Sequence, residues 1–150
     1  MNFPKRIRPP PDAYDRLGRT FHVTIRALAE TAPFRHAALA HDTWNTVLHQ
    51  TDRGQVLVLA ACLMPDHLHI VVVVIDGDLP QWVASFKQFT TRQSWRHGRH
   101  GSLWQPSFHD RAIHEGEAED VVTYVCYNPV EAGLVAVPED WPWLGVWRDG

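Results

Sequence analysis

The sequence predicts an α+β fold, with one antiparallel sheet and helices packed mainly on one face. Three observations carry this. Short segments rich in β-branched residues stand between longer stretches whose apolar residues recur at helical spacing. Two of the apolar segments are separated only by Met64-Pro65-Asp66, far too short for a parallel crossover. The chain has 150 residues, 45% of them hydrophobic, which suits one domain with its own core.

The elements follow in order. Residues 1–18 form a basic, proline-rich arm, with Lys5, Arg6, Arg8 and the run Pro9 to Pro11. Thr20 to Arg26 alternates, with Phe21, Val23 and Ile25 on one face and Thr20, His22, Thr24 and Arg26 on the other, the pattern of a half-exposed strand. A helix is expected from about Phe34 to Gln50, with a possible restart at His41-Asp42, and Asp52-Arg53-Gly54 is a turn. Gln55 to Leu63 and His67 to Ile75 are two very apolar strands, the second closed by the turn Asp76-Gly77-Asp78. Leu79 to Trp95 is helical, with Pro80 tolerated in its first turn and Trp82, Val83, Phe86 and Phe89 as its buried stripe. His97 to Gly101 is a loop, and Ser107 to His114 is a fourth strand. A last helix spans Glu115 to Tyr127, its acids suiting the N-terminal dipole, and Pro129 is expected to end it at Asn128. Residues 136–150, with Trp141, Trp143 and Trp147, are expected to be a packed, irregular tail. Strand, helix, strand, strand, helix, strand, helix is the order of a ferredoxin-like split βαβ motif within one domain, residues 1–150.

Composition narrows the function. The longest apolar runs, Val56 to Met64 and Ile70 to Ile75, fall well short of the ~20 residues of a membrane helix. The N-terminus does not have the pattern of a secretory signal. Two cysteines, Cys62 and Cys126, make neither a disulfide framework nor a four-thiolate zinc site. A cytoplasmic protein without a membrane partner is expected. The net charge of −3 does not advertise a nucleic-acid binder, but the charge is unevenly placed. Lys87, Arg92, Arg96, Arg99 and Arg111 face one acid, Asp110, before Glu115, Glu117, Glu119 and Asp120 follow together. Ten histidines and seven tryptophans are well above ordinary usage.

Three groups of residues could carry chemistry. His67 and His69 are two apart on a strand and so share a face, where paired neutral imidazoles make half of a metal site; two histidines bonded to backbone or water are the plainer reading. Tyr124 and Asn128 are four apart on a helix and share its face; taken alone, a packed tyrosine and a capping asparagine are the plainer reading. Between Lys87 and Phe108, Lys87, Arg92, Arg96 and Arg99 interleave with Trp95 and Trp104, as in grooves where charge follows the backbone and rings stack on bases. A solvated helix face with core tryptophans is the alternative. Cys126 has no base assigned to it as a thiol nucleophile.

Taken together, these stretches resemble the REP-associated tyrosine transposases, a branch of the single-tyrosine HUH transposases. Phe21-His22-Val23-Thr24 is similar to the family's opening strand, and Leu63-Met64-Pro65-Asp66-His67-Leu68-His69-Ile70-Val71-Val72 to its His-hydrophobic-His strand. Phe86-Lys87-Gln88-Phe89-Thr90-Thr91-Arg92 resembles the helix after it, and Leu103-Trp104-Gln105-Pro106-Ser107-Phe108-His109-Asp110 the segment leading to the next strand. The stretch from Tyr124 to Val135 resembles the nucleophile helix and the tail behind it. Pro142-Trp143 is followed by Leu144-Gly145, where the family usually has two serines.

The resemblance implies a metal-dependent endonuclease and strand transferase acting on single-stranded DNA beside a hairpin. Tyr124 would be the nucleophile, forming a 5′-phosphotyrosine, with His67, His69 and Asn128 holding Mg2+ or Mn2+. Lys87, Arg92, Arg96, Arg99 and Trp104 would contact DNA, and His22 could approach the metal or the DNA. The protein would be nucleoid-associated when bound, and a homodimer with the tyrosine acting in trans is left open. The alternative is a domesticated hairpin-binding protein that no longer transposes.

Overall fold

The computed structural model describes residues 19–28, 32–114 and 116–147. The arm at residues 1–18, Glu115 and the last three tail residues lie outside them. Among the described residues, five strands form one antiparallel sheet: β1 (Thr20–Arg26), β2 (Val56–Leu63), β3 (His67–Val74), β4 (His109–Ala112) and β5 (Leu144–Val146), in spatial order β4-β1-β3-β2-β5. β3 lies between β1 and β2 and is antiparallel to both, which is the split βαβ arrangement. The helices that accompany them among the described residues are α1 (Ala37–Leu48), α2 (Leu79–Trp95) and α3 (Ala118–Glu131).

β2 and β3 are apolar on both sides, so both faces of the sheet centre must be covered. α1 and α2 cover one face. Leu39, Trp44, Trp82 and Phe86 pack there against Val23, Ile25, Leu68, Ile70 and Val72. α3 covers part of the other face, where Val121, Val122 and Val125 meet Leu57, Leu59, Val71 and Val73. A β-bulge between Val58 and Ala60 shifts the register of β2 against β3. Val58 and Ala61 therefore face α1 and α2, while Leu59 and Ala60 face α3.

Several elements differ from the sequence expectation for local physical reasons. Pro33–Arg35 forms a separate 3-10 turn. His36 is extended and its Nδ1 accepts from Leu39 N at 3.2 Å, which starts α1 at Ala37. There is no restart at His41-Asp42. α2 begins on a capping box in which Asp78 Oδ1 accepts from Gln81 N and Gln81 Oε1 accepts from Asp78 N. Its buried stripe runs Trp82, Phe86, Thr90, Ser94, whereas Phe89 is 48% exposed. Thr90 takes the core position because its hydroxyl accepts the Trp104 Nε1–H at 2.8 Å.

α3 does not stop at Asn128. Pro129 lies inside the helix and is buried, forfeiting one backbone bond within two residues of the helix end. The stop is Gly133, at φ 76°, where Gly133 N donates to Val130 O and Leu134 N to Pro129 O. The tail is not irregular throughout. Leu144–Val146 pairs with the outer edge of β2 and covers an edge that would otherwise be open.

Candidate active site

On the α3 side of the sheet, β1 and β4 continue past the helix with polar residues. The alternation of β1 puts His22, Thr24 and Arg26 on this face. Register sets them beside their partners: Arg26 opposite His67, Thr24 between His69 and His109, and His22 between Val71 and Arg111. The result is a patch of imidazole and guanidinium groups on three adjacent strands, bounded by the exposed face of α3.

His67 and His69 do share that face. Their Nε2 atoms are 3.1 Å apart. His67 Nδ1–H donates to Asp66 Oδ1 at 2.7 Å, which leaves His67 Nε2 with its lone pair toward His69. In turn His69 Nε2–H donates to His67, and His69 Nδ1 accepts from His22 Nε2–H at 3.0 Å, with the Thr24 hydroxyl at 3.3 Å as a second partner. Burial, then the neighbouring His67, His22 and Arg26, push the His69 pKa down to about 3. Burial, and secondarily Arg111, lower that of His22. Both rings are therefore held neutral, the form that binds a cation or accepts a proton.

Tyr124 stands over this patch. Its ring lies edge-on to both His22 and His69, with centroids 5.8 Å from each, and it is 51% exposed. Tyr127, by contrast, points elsewhere on the helix. A cavity of about 440 Å3 opens beside Tyr124, lined by His22, Arg111, Glu117, Asp120 and Val121. Arg111 pairs with Glu117, whose other oxygen accepts from His114 N at 2.9 Å. That backbone bond, with Arg111 beside it, holds the Glu117 carboxyl below its usual range.

The remaining expected residues divide. Asn128 is one turn beyond Tyr124 on α3 and half-buried, and among the described residues no hydrogen bond joins its amide to either histidine. The described residues contain no set of three or more His, Cys, Asp or Glu side chains placed to hold a metal ion. The two Nε2 atoms fit a cation as a pair once it replaces the proton between them, since they are closer together than the ~4.2 Å that two ligands at ~2.1 Å from one ion can span. The Asp66–His67 bond is the carboxylate–histidine arrangement that orients such ligands.

Lys87 donates to Gln105 O and Ser107 O at 2.8 and 3.1 Å, so it ties α2 to the segment before β4, and burial lowers its pKa. Arg92 and Arg96 are exposed on and just after α2, and Arg99 is half-exposed. Trp104 is corrected. It is 1% exposed, packed on Phe34 and Phe86, and its ring cannot stack on a base. Trp95, on α2, is the tryptophan that reaches solvent, at 51% exposure. The sequence reading missed Arg26, Asp66, His109 and Arg111. For Arg26 the β1 alternation was a usable signal, but for His109 and Arg111 only the pairing of β4 with β1 brings them here.

Comparison with known proteins gives a consistent picture. The sequence profile of the family described as "Transposase IS200 like" matches residues 19–128. A Haemophilus influenzae protein named as a REP-associated tyrosine transposase is 29% identical over 109 residues. That match covers 61% of this chain and 59% of the relative. The solved structure of a REP-associated tyrosine transposase bound to a REP hairpin superposes with a TM-score of 0.68 at 21% identity, covering 96% of this chain and 82% of that one. A Deinococcus radiodurans structure described as a transposase gives a TM-score of 0.55 at 17% identity, covering 71% and 87%. The resemblance read from the motifs is borne out, and the shared fold is α+β as expected.

Proposed function

The chain belongs to the IS200-like transposase family, and from that premise we propose that it cuts and rejoins single-stranded DNA beside a hairpin through a covalent bond to Tyr124. The observation that carries this reading is the convergence of Tyr124 with His22 and His69, brought together from β1, β3 and α3. A solvent-facing phenol over a neutral, imidazole-lined floor, next to a cavity, is an arrangement for nucleophilic attack on a bound ester.

In the proposed step the Tyr124 oxygen bonds to phosphorus and the bond to the 3′ oxygen breaks. This gives a 5′-phosphotyrosine and a 3′-OH that takes up a proton. The phenol's own proton would go to a neutral imidazole, and His22 is the candidate, its ring lying edge-on to that of Tyr124 with centroids 5.8 Å apart. A phenol has a pKa of about 10, so it needs this help and close positioning. Phenolate is also a competent leaving group, so a second 3′-OH can reverse or transfer the link. His67 and His69, with Asn128 one turn beyond Tyr124, would hold Mg2+ or Mn2+, which supplies charge stabilisation at the phosphate. Arg26, and Arg111 with its partner Glu117, would meet the strand's backbone across the sheet, with His109 beside them as a hydrogen-bonding group, and Arg92, Arg96 and Arg99 offer charge to the hairpin. The hairpin is the partner of the similar solved structure, and it is carried to this chain as part of the proposal.

The test is a denaturing gel of the protein mixed with single-stranded oligonucleotides from the palindromes flanking its gene, with Mn2+ or Mg2+. A covalent protein–DNA band that Tyr124→Phe lacks is the expected result. An equal band from the variant refutes the nucleophile. A native-gel shift with no band in either protein supports a domesticated hairpin binder instead.

A further inference from the structure

The groove between α2 and the segment before β4 lies away from Tyr124 and is built differently. Lys87, Gln88, Thr91, Arg92, Trp95 and Ser102 line a depression of about 260 Å3. Trp95 is half-exposed yet fixed, because its Nε1–H donates to Gly101 O at 2.9 Å. An indole locked in this way loses little freedom when something stacks on it. Its surroundings are cationic: Lys87, Arg92, Arg96 and Arg99 fall in a stretch, residues 87–109, that contains no acid. A ring that is exposed, held in place and flanked by arginine has the composition of a site that takes a base by stacking and its phosphate by charge.

We propose that Trp95 is a stacking platform for an unpaired nucleobase of the DNA that this chain binds. The inference rests on the hairpin-DNA reading above and adds a base-contacting residue to it. The unpaired base can come from the hairpin loop or from the single-stranded flank, and both present the same aromatic face. A fully paired stem offers no such face.

The test uses fluorescence anisotropy with a labelled hairpin oligonucleotide of the flanking palindrome, in three forms: unmodified, with abasic loop nucleotides, and with abasic flank nucleotides. Wild type, Trp95→Ala and Trp95→Phe are compared. Trp95→Ala should weaken binding of the unmodified hairpin by about 5- to 150-fold, the range of one lost base stack. Trp95→Phe should recover most of that loss. One abasic form should weaken wild-type binding similarly and leave Trp95→Ala unchanged, which names the source of the base. A merely structural role for Trp95 would make the two losses multiply, and that result overturns the proposal. Unchanged affinity in Trp95→Ala also overturns it. A chain that forms the Tyr124 adduct but shows no coupling loses this inference alone. A chain that binds no hairpin loses both.

Discussion

Replacing Asp66 by alanine should weaken divalent-metal binding without unfolding the chain. Asp66 Oδ1 accepts the Nδ1–H of His67 at 2.7 Å, and this bond keeps the lone pair of Nε2 facing His69. Removing it frees the ring to rotate and to carry its proton on the wrong nitrogen. Loss of such an outer partner costs about 10- to 100-fold in metal affinity. The Asp66 side chain is 57% exposed, so water screens the pair, and the low end, about tenfold, is expected. At a Mn2+ concentration ~100 times the wild-type Kd, binding stabilises the protein by about 2.7 kcal/mol. A tenfold weaker site leaves about 1.4 kcal/mol at the same concentration. The difference corresponds to roughly 3–5 °C in the metal-induced rise of Tm for a chain of this size. Calorimetric titration and thermal melts with and without Mn2+ read both quantities. Equal stabilisation of variant and wild type would refute the orienting role of Asp66. A wild type that Mn2+ does not stabilise would refute the metal site itself.

Three further outcomes are expected. Trp104→Ala should lower stability in urea by about 3–5 kcal/mol, because it empties a core site and removes the indole N–H that the Thr90 hydroxyl accepts; a loss below ~1 kcal/mol would return Trp104 to the list of DNA-contacting rings. Gly145→Ala should cost about 1–3 kcal/mol, since the added Cβ would meet the Trp147 ring at 2.5 Å, and an unaltered urea midpoint would show that the ring moves freely. The Glu117 carboxyl titrates below its usual 4.5 when folded, so the unfolded chain binds more protons as the pH falls below that value and stability declines there. Glu117→Gln should show a shallower loss of urea midpoint between neutral pH and acid, and identical slopes would mean that its bonds to His114 and Arg111 contribute nothing.

Much of the architecture was legible because it depends on local rules. The alternation of Thr20 to Arg26, the apolar runs around Met64-Pro65-Asp66 and the turn Asp76-Gly77-Asp78 before Leu79 each specify a segment from its own residues. The His67/His69 pair could be placed on one face by strand parity alone, and Tyr124 and Asn128 on one face of a helix by helical spacing. Motif order identified the family before any contact was known. Local rules misjudged the ends and the tail. Pro129 was read by its average behaviour, yet its place near the end of α3 and its burial make it tolerable, and Gly133 terminates the helix instead.

What sequence by itself determined was residue type and facing: where β1 to β4 lie, which side of its strand each of His22, Thr24, Arg26, His67 and His69 occupies, and which helix bears Tyr124. Only the tertiary structure decided which faces meet. Pairing of β1 with both β3 and β4 sets His109 and Arg111 beside His22 and Thr24, although more than 80 residues separate β1 from β4 in the chain. Packing of α3 on the second face of the sheet brings Tyr124 to His22 and His69. The same competition for the core buried Trp104 and left Trp95 in solvent, a choice that composition cannot make because both are tryptophans in one basic stretch. Periodicity is a property of one segment, whereas register and burial are settled by all the segments that compete for the same interior.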